Sequence, residues 1–288
     1  MLDVSFADTF ELTTREYSRP NAYWLGNAAR LSYHDPVTIQ TVVAAWGLDE
    51  FLFFDKLETQ AFIAGNDKLL ILAFRGTTAL LDWIFDARID LIGGPAGRVH
   101  EGFNVALSFV WLDIWSYIKE QRRGRALWVT GHSLGAALAT LAVAKLRLER
   151  DEAVSGLYNF GQPRAGDLEF ARVFDLDFGQ QTFRYVNDQD IVSRVPLRLM
   201  QYSHIGTFKW FDEHGVQQEQ ADWWDIVTNR IREPIENLIP RLLPVTDSLI
   251  PRFEARIPKR LQPRVEAIED HSMDQYVAHL EKALVATR

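Results

Sequence analysis

Apolar positions along the chain fall first into two helical stretches, then into short strands, and from residue 103 into a regular alternation of the two. Ser18 followed by Pro20 predicts a helix start, and the helix runs to about Tyr33, where His34-Asp35-Pro36 ends it. Pro36 to Gly47 reads as a second helix. Phe51–Phe54, Thr59–Ala64 and Leu69–Phe74 are apolar and aromatic runs bounded by Asp, Gly and Asn, which predicts three strands with a hairpin turn at Asn66-Asp67. Then come helix Phe103–Gln121, strand Leu127–Thr130, helix Leu134–Leu148, strand Leu157–Phe160, helix Gly166–Phe174 and strand Thr182–Val186. Lys119, Arg122 and Arg123 with Gly124 mark the C-terminal end of the first of these helices. A last helix carries the stripe Met273, Tyr276, Val277 and Leu280. Strands alternating with helices predict an α/β fold with a mostly parallel central sheet flanked by helices.

The longest uncharged stretch, between Arg125 and Lys145, has 19 residues and raises the question of a membrane span. Thr130, Gly131, His132, Ser133, Gly135 and Thr140 interrupt it, and it divides into strand, turn and helix. It therefore reads as a buried βα unit, and no transmembrane segment is expected. The 288 residues are 47% hydrophobic and 24% charged, the composition of a globular chain. A net charge of −8 disfavours general nucleic-acid binding. With no cysteine there is no disulfide framework and no thiolate nucleophile. His-Glu-x-x-His, a phosphate loop and a Gly-x-Gly-x-x-Gly after a strand are all missing, so no metal or other cofactor is expected. Asp3, Asp8 and Glu11 stand where an export signal needs a basic start and an apolar core, which points to a cytoplasmic location.

Residues 230–264 depart from the pattern. They hold six of the eleven prolines and carry a charge of +4, against −12 for the rest of the chain. No long helix survives so many prolines, so short turns and extended pieces are expected in an insertion between about residues 215 and 265. It has three readings: a cover over the sheet, a peripheral contact with a lipid interface, or a docking arm for a partner. Residues 1–288 otherwise read as a single domain.

The strongest chemical signal is Gly131-His132-Ser133-Leu134-Gly135, a G-x-S-x-G directly after an apolar strand and directly before a helix. A serine hydroxyl is a poor nucleophile unless it is exposed, aligned and next to a base. A tight strand-to-helix turn lifts Ser133 to the top of the sheet, and the helix N-terminus adds N–H groups where an oxyanion develops. Such a serine needs an acid and then a histidine, in that chain order. Asp188 and Asp190 both follow the strand ending at Val186, and spacing does not choose between them. Four histidines come later: His204, His214, His271 and His279. His271 stands at the start of the last helix, whereas His279 lies within it and reads as a surface residue.

Six ordered motifs go further than the elbow alone. Phe74-Arg75-Gly76-Thr77, then Asp82-Trp83 and Asp86, then Val99-His100-Glu101-Gly102-Phe103, then GHSLGAALATL, then Asn159-Phe160-Gly161-Gln162-Pro163-Arg164, then VNDQDIV together resemble the class 3 (fungal-type) lipases. The resemblance implies an α/β-hydrolase fold and hydrolysis of carboxylic esters without a cofactor. It implies Ser133 as nucleophile, Asp190 rather than Asp188 as acid and His271 as base. Thr77 and the Leu134 N–H would form the oxyanion hole, and His100 and His132 would be structural. It also implies a lid within residues 78–92, with Leu81, Trp83, Ile84 and Phe85 on its apolar side. The substrate it implies is a lipid ester, triacylglycerol first. A phospholipase A1, a mono- or diacylglycerol lipase, and a soluble carboxylesterase or feruloyl-type esterase share the same constellation. Outside catalysis, the fold would suit a lipid-binding scaffold.

Overall fold

The structure is a computed structural model that describes residues 5–77, 90–188, 190–218 and 269–286. The candidate lid residues Leu81, Trp83, Ile84 and Phe85 and the Pro-rich residues 230–264 lie outside the described residues.

The helices in chain order are α1 (Phe6–Thr9), α2 (Arg19–Leu31), α3 (Pro36–Ala45), α4 (Glu101–Gln121), α5 (Leu134–Ala144), α6 (Leu168–Phe178) and α7 (Met273–Val285). The strands are β1 (Glu50–Lys56), β2 (Thr59–Gly65), β3 (Leu69–Phe74), β4 (Leu91–Gly93), β5 (Arg98–His100), β6 (Ala126–His132), β7 (Gly156–Phe160), β8 (Gly166–Asp167), β9 (Thr182–Asn187), β10 (Tyr202–Ser203), β11 (Thr207–Phe211) and β12 (Gln217–Gln218). Eight of them form the main sheet in the order β1-β2-β3-β6-β7-β9-β11-β12. β3, β6, β7, β9 and β11 run parallel, and antiparallel hairpins close both edges.

Local chemistry sets the element ends. The Ser18 hydroxyl accepts from the Asn21 N–H at 3.2 Å and caps α2, and Pro20 follows at the position where a helix needs no N–H. Asp35 caps α3 through the N–H groups of Val37 and Thr38. The Asn66 side chain accepts from the N–H groups of Lys68 and Leu69, which turns β2 into β3. At the end of α4, Arg122 pairs with Glu152 and Arg125 with Glu50, so the cluster of basic residues bolts the helix end to the sheet.

Both faces of the sheet are covered, so the central strands are buried from end to end. On β3, Leu70, Leu72 and Phe74 join one core with Phe103, Leu107 and Ile114 of α4, Leu138 and Leu141 of α5, and Phe170 and Phe174 of α6. Leu69, Ile71 and Ala73 join the other, with Leu25 and Ala28 of α2, Ile39 and Val43 of α3, and Tyr276 and Leu280 of α7. This period of two, apolar on both sides, is what a doubly covered parallel strand requires.

Several boundaries differ from the sequence reading. The helix expected to run to Leu148 keeps α-geometry only to Ala144 and continues as a π-turn over Lys145–Glu149. The helix expected over Gly166–Phe174 starts at Leu168, because Gly166–Asp167 pairs with Tyr202–Ser203 and Asp167 then caps α6 through the Phe170 N–H. A second sheet, β10-β8-β5-β4, was not expected, and its strand Leu91–Gly93 occupies the end of the predicted lid range. β11 and β12 extend the main sheet past β9, so the first residues of the expected insertion are a sheet edge.

Candidate active site

β6 delivers Ser133 to the top of the sheet, where the chain reverses sharply into α5. Ser133 has φ 59° and ψ −130°, a conformation that L side chains adopt at a cost, and its N–H is held by the Phe160 carbonyl at 3.0 Å. Packing enforces the strain. A Cβ at Gly135 would run into the Phe74 carbonyl, and one at Gly131 into the Gly135 carbonyl, so strand and helix meet backbone to backbone. A serine at a helix N-cap ordinarily uses its hydroxyl to accept from the first turn. Here the reversed φ turns it away: no side-chain cap bond forms, and among the described residues Oγ has no hydrogen-bond partner.

His271 precedes α7 and is buried beside this elbow. Its Nδ1 donates to Asp190 at 3.0 Å to Oδ1 and 2.9 Å to Oδ2. That bond fixes the tautomer and leaves Nε2 with a free lone pair, buried and without a partner among the described residues. Asp190 is fully buried at the carboxyl end of β9. It also accepts the Tyr276 hydroxyl at 2.6 Å and the Val192 N–H at 2.8 Å. Burial alone would push this carboxyl up, but the charge and hydrogen bond of His271 and the bond from Tyr276 together hold it below its ordinary value. Gly161 makes room for the pair: its φ is +56°, and a Cβ would fall 2.7 Å from both Asp190 Oδ2 and His271 Cε1.

Of the remaining residues singled out in the sequence, Asp188 lies at the rim, its N–H bound by the Phe211 carbonyl. Thr77 follows β3 by three residues, and its neighbour Gly76 packs against Ser133. Leu134 is the first residue of α5. His204 Nε2 donates to the Ser193 carbonyl, and His214 is exposed. His279, expected on the surface, is half-buried against the Phe211 ring and beneath Gly215, because the β11–β12 hairpin folds over α7. His132 accepts the Tyr33 hydroxyl at Nδ1, 2.8 Å, and donates from Nε2 to the His271 carbonyl, 2.7 Å.

Sequence reasoning missed two participants in this network. Tyr276 counted as one of an apolar stripe, yet its hydroxyl bridges the Asn187 N–H and Asp190. Tyr33 closed a predicted helix and carried no other signal. Among the described residues no group of His, Cys, Asp and Glu is arranged to hold a metal, and no helix is long and apolar enough to cross a membrane.

A mostly parallel sheet covered on both faces, with a strained serine at a strand-to-helix turn, defines the α/β-hydrolase fold. Residues 71–200 match the family described as Lipase (class 3). It is 30% identical over 184 residues to a lipase of Rhizomucor miehei, which covers 60% of this chain and 50% of that protein. It is 32% identical over 163 residues to the secreted mono- and diacylglycerol lipase A of Penicillium cyclopium, covering 53% and 52%. The chain thus spans about half the length of these curated relatives. Among solved structures, a triacylglycerol lipase whose catalytic centre is described as a serine protease triad superposes with a TM-score of 0.58 at 26% identity. The match covers 72% of this chain and 88% of that one.

Proposed function

We propose that the protein is a serine carboxylic-ester hydrolase of acylglycerols, with triacylglycerol as its principal substrate. The observation that carries this is that two atoms of the site are left unspent. Ser133 Oγ and His271 Nε2 are both buried and unpartnered among the described residues, while the other nitrogen of His271 is tied to a buried carboxylate. A folded protein leaves few buried polar atoms unpaired, and a nucleophile with its base is a reason to leave two. The relatives support the class of substrate: one is named a mono- and diacylglycerol lipase, and the superposed structure a triacylglycerol lipase.

The chemistry runs in two steps. Ser133 attacks the ester carbonyl carbon while His271 Nε2 takes the hydroxyl proton, and Asp190 stabilises the imidazolium. The tetrahedral oxyanion is held by the N–H of Leu134 at the start of α5 and by Thr77, each donor contributing about 3 kcal/mol. The imidazolium protonates the departing alcohol, leaving an acyl ester on Ser133. Water, activated by His271, then adds to that ester and releases the fatty acid. The lid within residues 78–92 and a cytoplasmic setting belong to the same reading.

The test is hydrolysis of tributyrin through its solubility limit, followed by tri-, di- and monoolein, with Ser133→Ala as blank. Loss of about 10⁴- to 10⁶-fold in the variant supports the triad. A Ser133→Ala protein that keeps a tenth of the activity overturns it. A rate jump as droplets form supports a lipase with an interface-opened lid, whereas a smooth curve with preference for monoolein overturns triacylglycerol as the substrate.

A further inference from the structure

Two polar side chains behind the elbow take no part in the triad, half-buried Tyr33 just after α2 and buried His132 at the end of β6. Neither reaches substrate from its position, because each is spent on partners behind the elbow. The donors along this path run in one direction. The backbone amide of Gly76, next to Thr77, donates toward the Tyr33 hydroxyl. That hydroxyl donates to His132 Nδ1 at 2.8 Å, and His132 Nε2–H donates to the backbone carbonyl of His271 at 2.7 Å. A carbonyl only accepts, so Nε2 must carry the proton and Nδ1 must be bare, which makes the Tyr33 hydroxyl the donor. The path has no slack. A Cβ at Gly76 would overlap the Tyr33 hydroxyl and fall 2.7 Å from the His132 carbonyl, and the rings of His132 and His271 lie 4.4 Å apart.

From this geometry we propose that Tyr33 and His132 are positioning residues that lock the turn carrying Thr77 to the backbone of His271, so that oxyanion donor and base are set at a common spacing. The proposal rests on the Ser133–His271–Asp190 reading. It gives the histidine beside the nucleophile a definite duty: it is a neutral strut, not a second base. Burial, with the nearby charge of His271, lowers the His132 pKa to about 3 despite the opposing influence of Asp190, so the strut stays uncharged while His271 cycles. Arg75, whose guanidinium lies 5.7 Å from the centre of the Tyr33 ring, and Asp190 are the other charged groups facing the path.

The experiment compares Tyr33→Phe, His132→Leu, His132→Gln and the double variant Tyr33→Phe/His132→Leu with wild type on p-nitrophenyl butyrate, with Ser133→Ala beside them. A misplacement of about 1 Å at a reacting group costs roughly 100-fold, so His132→Leu should lose about that much in kcat with KM within about twofold. Tyr33→Phe should lose about 10-fold, and His132→Gln, which keeps a donor for the His271 carbonyl, should recover part of the loss. The double variant should fall no further than His132→Leu, since both residues act through one path. Independently of folding of the variants, ¹⁵N spectra of wild-type imidazoles should show His132 protonated at Nε2 and untitrated between pH 5 and 9. Folded variants with kcat within about twofold of wild type, or a His132 that titrates in that range, overturn the proposal. Should Ser133→Ala retain activity, the triad reading fails first and takes the strut's purpose with it. A dead Ser133→Ala beside unimpaired Tyr33→Phe and His132→Leu sinks the strut alone.

Discussion

Acid should destabilise this protein well before its carboxylates protonate. His132 and His100 are both buried, and desolvation lowers their pKa values to about 3 and about 4, against 6.5 for a free imidazole. A histidine lowered on folding takes up its proton only in the unfolded chain. Between pH 6.5 and 4 the unfolded state therefore binds protons that the folded state refuses, and acidification favours unfolding. Integrated from pH 8 to pH 5, each histidine withdraws about 2 kcal/mol, so the two together withdraw about 4 kcal/mol. Burial and the neighbouring Arg184 and Arg164 also lower His204, which adds to the loss. For a chain of this size each kcal/mol moves Tm by about 2–4 °C, so Tm should fall by roughly 10 °C. Asp190, held below its ordinary value, acts in the same direction only near pH 4 and lower, whereas Asp175, raised by burial, works against the loss. Urea unfolding at half-unit intervals of pH measures this directly. His100→Asn keeps an acceptor for the Phe103 N–H that His100 caps, and should flatten the slope by about 1.4 kcal/mol per pH unit below pH 6. A stability that changes by less than about 1 kcal/mol between pH 8 and 5 would refute the reasoning.

Two further substitutions probe the site. Gly161→Ala puts a methyl group 2.7 Å from both Asp190 and His271 at a positive φ; kcat on a soluble ester should fall by about 100-fold or more, and an unimpaired enzyme would mean that the pair has room to move. Tyr276→Phe strands the Asn187 N–H and removes a donor from Asp190, so urea denaturation should show a loss of about 1–3 kcal/mol and turnover should drop by about 10-fold. Unchanged stability there would show that water replaces the hydroxyl.

What was legible in the sequence follows from how local each signal is. The elbow could be read because everything it needs, strand, two glycines, serine and helix, is contiguous, and the central strands could be read because each is a short run rich in apolar and aromatic residues, unbroken in Leu69–Phe74. The second sheet could not: strands of two or three residues, such as Gly166–Asp167 and Tyr202–Ser203, are too short to display a period. The choice between Asp188 and Asp190 turns on burial, since one meets water at the rim and the other faces His271, and two residues of spacing carry no information about that. Tyr276 and Tyr33 are the same difficulty in stronger form. Their hydroxyls act on partners 86 and 99 positions away, while their rings fit the apolar pattern perfectly well.

The two faces of the sheet differ in where their covering comes from along the chain. One is covered from within residues 71–200, the stretch that matches the description Lipase (class 3). The other is covered by α2, α3 and α7, all outside it. A chain trimmed to the recognisable stretch would bare Trp128, Tyr158, Phe160 and Tyr185 along one side, a continuous aromatic surface of the kind that drives aggregation. It would also lack Tyr33, Tyr276 and His271. The unit of resemblance is therefore smaller than the unit of folding, and a truncation guided by the first would cut through the second.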